Sequence, residues 1–162
     1  MKFPIGLLLG LLLASSVNGQ SAFDKMSTEK MEMILLRVAA EVDRIPGNED
    51  TPGRWKIVYM SRELFVITDD SANRMRIMTP IIEEENLKPD DLKVLLEANF
   101  DRALDAKYSL YQGLLWSSFT HPLQELTVEQ FKDALKQVAT LADRYGDTYS
   151  STDLVFGSSG EQ

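Results

Sequence analysis

Residues 54–79, RWKIVYMSRELFVITDDSANRMRIMT, decide the fold class of this chain. Large apolar residues alternate with polar or smaller ones in residues 54–59 and again in residues 74–79. This period of two is typical of a strand with one buried face. Residues 64–68 are apolar at almost every position, which indicates a central strand. Because Ser61-Arg62 and residues 69–73 are short connections, we expect three strands joined by antiparallel hairpins.

A helix is predicted on the N-terminal side of these strands. Asp24 or Ser27 is a suitable N-cap, Pro46-Gly47 would end the helix, and residues 48–53 would form a polar loop. Apolar residues recur there every three or four positions and would line one face: Met31, Ile34, Leu35, Val38, Val42 and Ile45.

A second helix is predicted after the strands. It opens at Pro89, since proline suits the first helical position, and it follows a connection of residues 80–88. Its apolar face would consist of Leu92, Leu95, Leu96 and Phe100.

A hairpin and a third helix complete the pattern. Gly113 is the turn between two strands, residues 107–112 and residues 114–120. Thr127 and Gln130 form a capping box that starts a long helix. The order α-β-β-β-α-β-β-α predicts an α+β fold with a single antiparallel sheet of about five strands packed with helices.

The first residues have the pattern of an export signal. Lys2 precedes an uncharged apolar run at residues 3–14, and small or polar residues follow, with cleavage expected between Gly19 and Gln20. The run is shorter than the ~20 residues that cross a bilayer. The expected organisation is a signal peptide at 1–19, a lead-in at 20–25, one domain at 26–146, and a tail at 147–162 that is loose in part. The predicted location is periplasmic or secreted.

The composition argues against several classes of function. The chain has 162 residues, a net charge of −8, no cysteine and one histidine. The acidic balance argues against a nucleic-acid binder, which needs a basic surface. The lack of cysteine excludes thiol chemistry, iron–sulfur clusters and cysteine zinc sites. No cofactor or metal is expected.

The residues of an enzyme are sparse. His121 is four residues from Glu125 and close to Ser117 and Ser118. A hydrolase centred on His121 is therefore one of three hypotheses for the function, ranked after the two given below. The chain contains no Gly-x-Ser-x-Gly motif, and a hydrogen bond that fixes the loop after His121 is the simpler role. We therefore expect a protein without enzymatic activity.

Aromatic and basic residues on the predicted strands suggest a binding surface. Tyr108 and Tyr111 differ by three positions, so they point to opposite faces of the sheet, and one should be exposed. Interfaces are enriched in Tyr, Trp, Arg and Met. The candidate protein-binding residues are Arg74, Arg76, Tyr108, Tyr111, Trp116 and Met33.

The element order and one local segment resemble a known fold family. Asn99-Phe100 at a helix end, followed by YSLYQGLLW at residues 108–116, is similar to the helix-end, strand, turn and strand of the type III secretion chaperone-like fold. This family includes class I secretion chaperones and YbjN-like proteins, and the resemblance covers residues 26–145. It implies a homodimer that binds extended segments of partner proteins and has no catalytic activity.

The export signal distinguishes this chain from secretion chaperones, which act in the cytoplasm. The leading hypothesis is a protein-binding or chaperone-like module of the bacterial envelope that binds a partner polypeptide or self-associates, without stable membrane insertion after cleavage. The alternative is a domain that binds or senses a small molecule in a pocket between the sheet and a helix.

Overall fold

The computed structural model describes residues 25–46 and 53–154. The predicted signal peptide at 1–19, the lead-in up to residue 24, most of the predicted 48–53 loop and the tail from residue 155 lie outside the described residues.

The fold is α+β, with one antiparallel sheet packed against helices, as the sequence predicts. Six strands form the sheet in the order β1-β2-β3-β4-β6-β5 in the described part of the chain. The strands are β1 (Glu41–Arg44), β2 (Gly53–Tyr59), β3 (Arg62–Asp69), β4 (Arg74–Glu83), β5 (Lys107–Tyr111) and β6 (Leu114–His121). The helices are α1 (Thr28–Val38), α2 (Asp91–Asp101) and α3 (Val128–Asp143), with a 3-10 turn at Glu84–Asn86.

Two hairpins have two-residue turns with left-handed backbone. Met60 and Ser61, between β2 and β3, have φ of 51° and 62°. Gln112 and Gly113, between β5 and β6, have φ of 51° and 74°. Positive φ at both central positions matches the right-handed twist of the strands that such turns join.

The core lies between one face of the sheet and the helices α1 and α3. The alternating residues of the strands that point to this side are buried, as are the apolar residues of α3. The largest fully buried side chains include Trp55, Phe131, Met31, Leu35, Ile57, Leu64, Met75, Ile77 and Leu115.

Hydrogen bonds cap the helices α1 and α3 and join them to the sheet. Thr127 and Gln130 form the predicted capping box of α3, and Ser27 accepts from the N–H of Lys30 at the start of α1. The Oγ1 atoms of Thr28 in α1 and Thr68 in β3 lie 2.7 Å apart in the buried layer. At the other end of the sheet, Arg62 contacts Asp143 of α3 at 2.5 Å.

The prediction that the first helix extends to Ile45 was wrong. The helix ends at Val38, and Val42 instead belongs to β1, opposite Ile57 of β2. The backbone of Ala39 is extended, with ψ of 150°, and the N–H of Ala40 donates to the carbonyl of Val58. Pairing with β2 therefore replaces the helical hydrogen bonds from Ala40 onward.

The third predicted strand is longer than expected. Residues 80–88 were predicted as a connection, but β4 continues through Pro80 to Glu83. The register with β6 shifts between Pro80 and Ile82. A bulge of this kind accommodates a proline, which cannot donate to the ladder.

The predicted apolar face of the second helix is mostly exposed. Leu95 is buried with Ala98, but Leu92, Leu96 and Phe100 are 46%, 70% and 89% exposed. The helix begins at Asp91, two residues after the predicted start. It packs against β5 at the edge of the sheet, so only one narrow side of it reaches the core.

Gly53 is a position where any side chain would be destabilising. A Cβ there would lie 2.0 Å from Oγ1 of Thr68 and 2.5 Å from the ring of Trp55. Gly53→Ala is expected to lower the free energy of unfolding by about 2–3 kcal/mol, measured by urea denaturation. Gly113→Ala is the control, because its Cβ would meet nothing within 4 Å and only the positive φ is costly, at about 1 kcal/mol. Equal losses in the two variants would contradict the steric explanation.

Candidate functional site

The face of the sheet opposite α1 and α3, here called the open face, carries no helix in the described part of the chain. Its side chains are the strand residues that alternate with the buried ones, and each is partly or fully exposed. They are Glu41, Asp43, Arg54, Lys56, Val58, Glu63, Phe65, Ile67, Asp69, Arg74, Arg76, Met78, Pro80, Lys107, Ser109, Tyr111, Trp116, Ser118 and Thr120.

An apolar band crosses the middle of the open face. Phe65 of β3 lies opposite Met78 of β4, and the rings of Phe65 and Trp116 meet edge-to-face with centroids 6.5 Å apart. The indole Nε1–H of Trp116 donates to the carbonyl of Tyr111 at 3.0 Å, which holds the ring over the β5–β6 hairpin. Edge-to-face pairs prefer this separation.

A shallow groove of about 470 Å³ runs beside this band over β4, β6 and β5. Its polar floor includes Ser109 and Ser118, whose hydroxyl oxygens lie 3.0 Å apart. At its rim, Nζ of Lys107 donates to the carbonyls of Asn99 and Leu104 at 2.6 Å, at the C-terminal end of α2. Burial there lowers the pKa of Lys107, and Asp105 opposes that change.

Four of the six predicted binding residues lie together on the open face. Arg74 and Arg76 are exposed on β4, Tyr111 is 64% exposed on β5, and Trp116 is half-buried on β6. Met33 is also exposed, at 54%, but it lies on α1, away from this face. These four candidates therefore share one face of the sheet, and Met33 lies on a different element.

Tyr108 was wrongly predicted as a surface residue. It points to the core, and its hydroxyl donates to the carbonyl of Leu141 in α3 at 2.9 Å. Its ring meets those of Tyr145 and Tyr149 edge-to-face at 6.4 and 6.3 Å. Burial, and secondarily Tyr149, raises the pKa of Tyr108 well above its usual range. Burial and a hydrogen bond to Asp91 raise the pKa of Tyr145 to about 12.

The groups of the hydrolase hypothesis do not meet. Nδ1 of His121 donates to the carbonyl of Pro122 at 2.7 Å, and its ring stacks on Phe119. Ser117 is fully buried, and its hydroxyl has no partner among the described residues. Ser118 is on the opposite face of the sheet. Glu125 accepts from Asn73, which lowers the pKa of its carboxyl group.

A cavity of about 270 Å³ lies between the end of β6 and α3, next to His121. Gln137, which is 1% exposed, organises one wall of the cavity. Its Oε1 accepts from the backbone N–H groups of Asp105 and Ala106, and its Nε2 donates to Asp133 at 2.6 Å. All polar atoms of this amide thus have partners within the protein.

Sequence reasoning missed three apolar residues of the open face. Phe65, Ile67 and Met78 lie on the open face, although the first two were assigned only to a central strand. The sequence did contain an indication, because residues 64–68 are apolar at both odd and even positions. A strand in a sheet with one layer of helices then exposes half of those residues.

The described residues hold neither a metal-binding cluster nor a membrane-spanning helix. No cluster of three or more histidine, aspartate or glutamate side chains with a geometry suited to a metal ion occurs within residues 25–46 and 53–154. In the same segments, no helix combines the length and the apolar character needed to span a bilayer.

Tyr108→Phe is expected to lower the free energy of unfolding by about 1–2 kcal/mol, because the carbonyl of Leu141 loses a buried donor. Because the pKa of this phenol is higher in the folded than in the unfolded protein, protonated Tyr108 stabilises the fold at pH values below the unfolded pKa, about 10. This stabilisation is lost as the pH rises above that value. Urea denaturation should therefore show a smaller loss of stability between about pH 9 and about pH 11 in the variant than in the wild type. Tyr111→Phe, at an exposed position, should change neither quantity. An identical pH dependence in Tyr108→Phe and wild type would contradict the assignment.

Comparison with known proteins adds no relative. No protein-family model matches this chain, and no curated protein matches it. The resemblance to the secretion chaperone-like fold thus stays a prediction from the element order and residues 99–116.

Proposed function

We propose that this protein is a non-enzymatic module of the bacterial envelope that binds a partner polypeptide on the open face of its sheet. The observation that carries the proposal is the apolar band of Phe65, Met78 and Trp116, which no helix covers in the described part of the chain. An apolar band on an otherwise polar surface is a usual mark of a protein-binding site.

The chemistry of the open face favours a polypeptide as the ligand. Trp116 and Tyr111 supply large rigid rings, and Arg76 supplies a planar cation beside them. These residue types dominate the energetics of protein interfaces. The groove of about 470 Å³ lies beside these rings and over three neighbouring strands, which gives an extended chain a surface to lie on.

The placement in the envelope comes from the sequence. Residues 1–19 have the order of an export signal, with Lys2 before the apolar run and Gly19 at the expected cleavage site. The absence of catalytic activity is supported by Ser118, which lies on the face of the sheet opposite His121, and by Nδ1 of His121, which bonds to the carbonyl of Pro122.

Self-association is a second part of the proposal, and α2 supports it. Leu92, Leu96 and Phe100 recur every four residues, so they form one exposed apolar stripe along the helix. Leu110 of β5, the strand against which α2 packs, is 39% exposed as well. A two-fold axis near Leu96 would place Leu92 of one copy beside Phe100 of the other, a self-complementary contact. We propose a homodimer through this stripe.

The open face is tested by binding to an array of extended peptides taken from exported proteins. Trp116→Ser and Phe65→Ser are each expected to weaken binding on the order of tenfold, since each removes one ring of the central pair. Met33→Ser is the matched control, because it removes an exposed apolar side chain from α1. Urea denaturation verifies that the variants are folded. Retention of full binding by both folded ring variants would contradict the proposal.

The homodimer is tested by sedimentation velocity over a range of protein concentrations. Wild type is expected to sediment as a dimer, and Leu96→Glu as a monomer, because the charge would lie at the centre of the contact. Leu36→Glu is the control: Leu36 is 64% exposed on α1 and Leu96 is 70% exposed on α2. A monomeric wild type, or a dimer that persists in Leu96→Glu, would refute this interface.

Small-molecule binding is the second candidate function, and the cavity beside His121 is the observation that favours it. The cavity lies between the sheet and a helix, as the alternative hypothesis requires. Its volume of about 270 Å³ is slightly below the range of ~300–1,000 Å³ typical of ligand pockets, and polar groups that already have partners form much of its wall. A compound screen by thermal shift would favour this function if hits stabilise wild type and not His121→Ala.

A further inference from the structure

The C-terminal end of α2 is held by the chain that follows α3. Carbonyl groups at the C-terminal end of a helix have no partner within the helix, so they need donors from elsewhere. Ser151 supplies two donors: its N–H donates to the carbonyl of Arg102 at 3.2 Å, and its hydroxyl donates to the carbonyl of Ala103 at 2.8 Å. Ser151 is 1% exposed and Ala103 is fully buried, so these hydrogen bonds are shielded from water.

The same stretch of chain reaches the other end of α2. The hydroxyl of Tyr145, the second residue after α3, donates to Oδ2 of Asp91, the first residue of α2, at 3.1 Å. The ring of Tyr149 packs edge-to-face against those of Tyr145 and Tyr108, with centroids 5.8 and 6.3 Å apart. Residues 145–153, here called the clasp, thus hold α2 at both ends.

The remaining contacts of α2 are few. Leu95 and Ala98 are the buried side chains of this helix, and Asn99 binds the backbone of Tyr108 at the edge of β5. By contrast, α3 buries eight of its residues. Because apolar burial is the main stabilising contribution to packing, α2 is attached more weakly than α3. The clasp therefore supplies a large share of what keeps α2 docked.

The clasp is closed against strain in its own backbone. Tyr149 has a φ of 57°, a left-handed conformation that is unfavourable for a residue with a Cβ. The turn before it, residues 146–148, is exposed. On the other side, Nη1 of Arg144 donates to the hydroxyl of Ser150 at 2.9 Å. Strain that is balanced by a small set of contacts is typical of a segment with two states.

We propose that the clasp regulates the homodimer by holding α2 docked, and that opening of the clasp weakens the dimer. The inference rests on the homodimer part of the proposed function, because it names what regulates that contact. The exposed stripe of Leu92, Leu96 and Phe100 has a fixed position beside Leu110 of β5 only while α2 is docked. A released helix loses conformational freedom when it enters a dimer, and this loss lowers the affinity.

Opening of the clasp also uncovers the outer edge of β5. From its place on α2, Asn99 accepts from the N–H of Tyr108 and donates to the carbonyl of the same residue. These two backbone groups meet water when α2 leaves. The amide hydrogen of Tyr108 is therefore a direct reporter of the clasp.

The opening of α2 is tested by hydrogen exchange at several sub-denaturing urea concentrations, in samples dilute enough to be monomeric. In wild type, the amides of α2 and of Tyr108 are expected to exchange together, with a weaker dependence on urea than the amides of β4. The double variant Tyr145→Phe/Ser151→Ala removes one hydroxyl group at each end of α2. It is expected to make this opening on the order of tenfold more frequent, because two hydrogen bonds of the closed state are lost.

Tyr149→Phe/Ser117→Ala is the matched control. It also removes one phenol hydroxyl and one buried serine hydroxyl, but neither group makes a hydrogen bond within the described part of the chain. The exchange of α2 should remain as in wild type.

The dependence of the dimer on the clasp is tested by sedimentation velocity over a range of protein concentrations. The dissociation constant is expected to be on the order of tenfold higher in Tyr145→Phe/Ser151→Ala than in wild type, and unchanged in the control. If the double variant does not fold, Tyr145→Phe and Ser151→Ala are each measured against Tyr149→Phe and Ser117→Ala, with effects of about fivefold expected.

An equal dissociation constant in wild type and the clasp variants would overturn this inference and leave the homodimer standing. Amides of α2 that exchange only together with those of β4 would also overturn it, because α2 would then not open by itself. A wild type that is monomeric at every concentration would refute the homodimer, and this inference with it.

Discussion

The packing of α3 against β4 and β6 is the interaction on which the remaining structure depends. The buried side of α3, with Phe131, Leu135 and Val138, covers these two neighbouring strands, and Met75 and Ile77 of β4 are fully buried. Burial of each such side chain stabilises the fold by about 1.5–3 kcal/mol before the cost of ordering it. Once this layer is in place, α1 completes it over β2, and α2 is displaced to the edge at β5.

A sheet with one layer of helices has a second face that is exposed to solvent, and that face has to carry enough polar side chains to remain hydrated. Here Lys56 lies beside Phe65, and Arg54 and Arg76 lie on either side of Ile67, so charged side chains border the apolar area. The exposed stripe on α2 is a separate surface on a different element. Because the two surfaces do not share residues, the proposed homodimer and the proposed polypeptide binding do not compete for the same side chains.

The sequence predicted most strands of the sheet, because the period of two in residues 54–79 allows no other regular structure. The sequence-based prediction was wrong where the same spacing of apolar residues fits both a helix and a strand, or both a buried and an exposed face. Val38 and Val42 are four residues apart, which suits a helix, and only the pairing of Val42 with Ile57 selects the strand. Leu92, Leu96 and Phe100 share a face of α2, but periodicity does not say whether another element covers that face. Likewise, the alternation of side chains along a strand placed Tyr108 and Tyr111 on opposite faces of the sheet. Which of the two is buried depends on the carbonyl of Leu141, which accepts a hydrogen bond from the hydroxyl of Tyr108.

The side chain of Asn99 has a consequence for how the protein behaves at high concentration. Its Oδ1 accepts from the N–H of Tyr108 at 2.7 Å, and its Nδ2 donates to the carbonyl of the same residue at 3.0 Å. The amide thus imitates the backbone of a further strand at the outer edge of β5. Unpaired edges recruit strands from other chains and lead to aggregation. By occupying this pair of groups from a helix, Asn99 covers the outer edge of β5 at Tyr108, and pairing with a foreign strand at that point is blocked for as long as α2 stays docked.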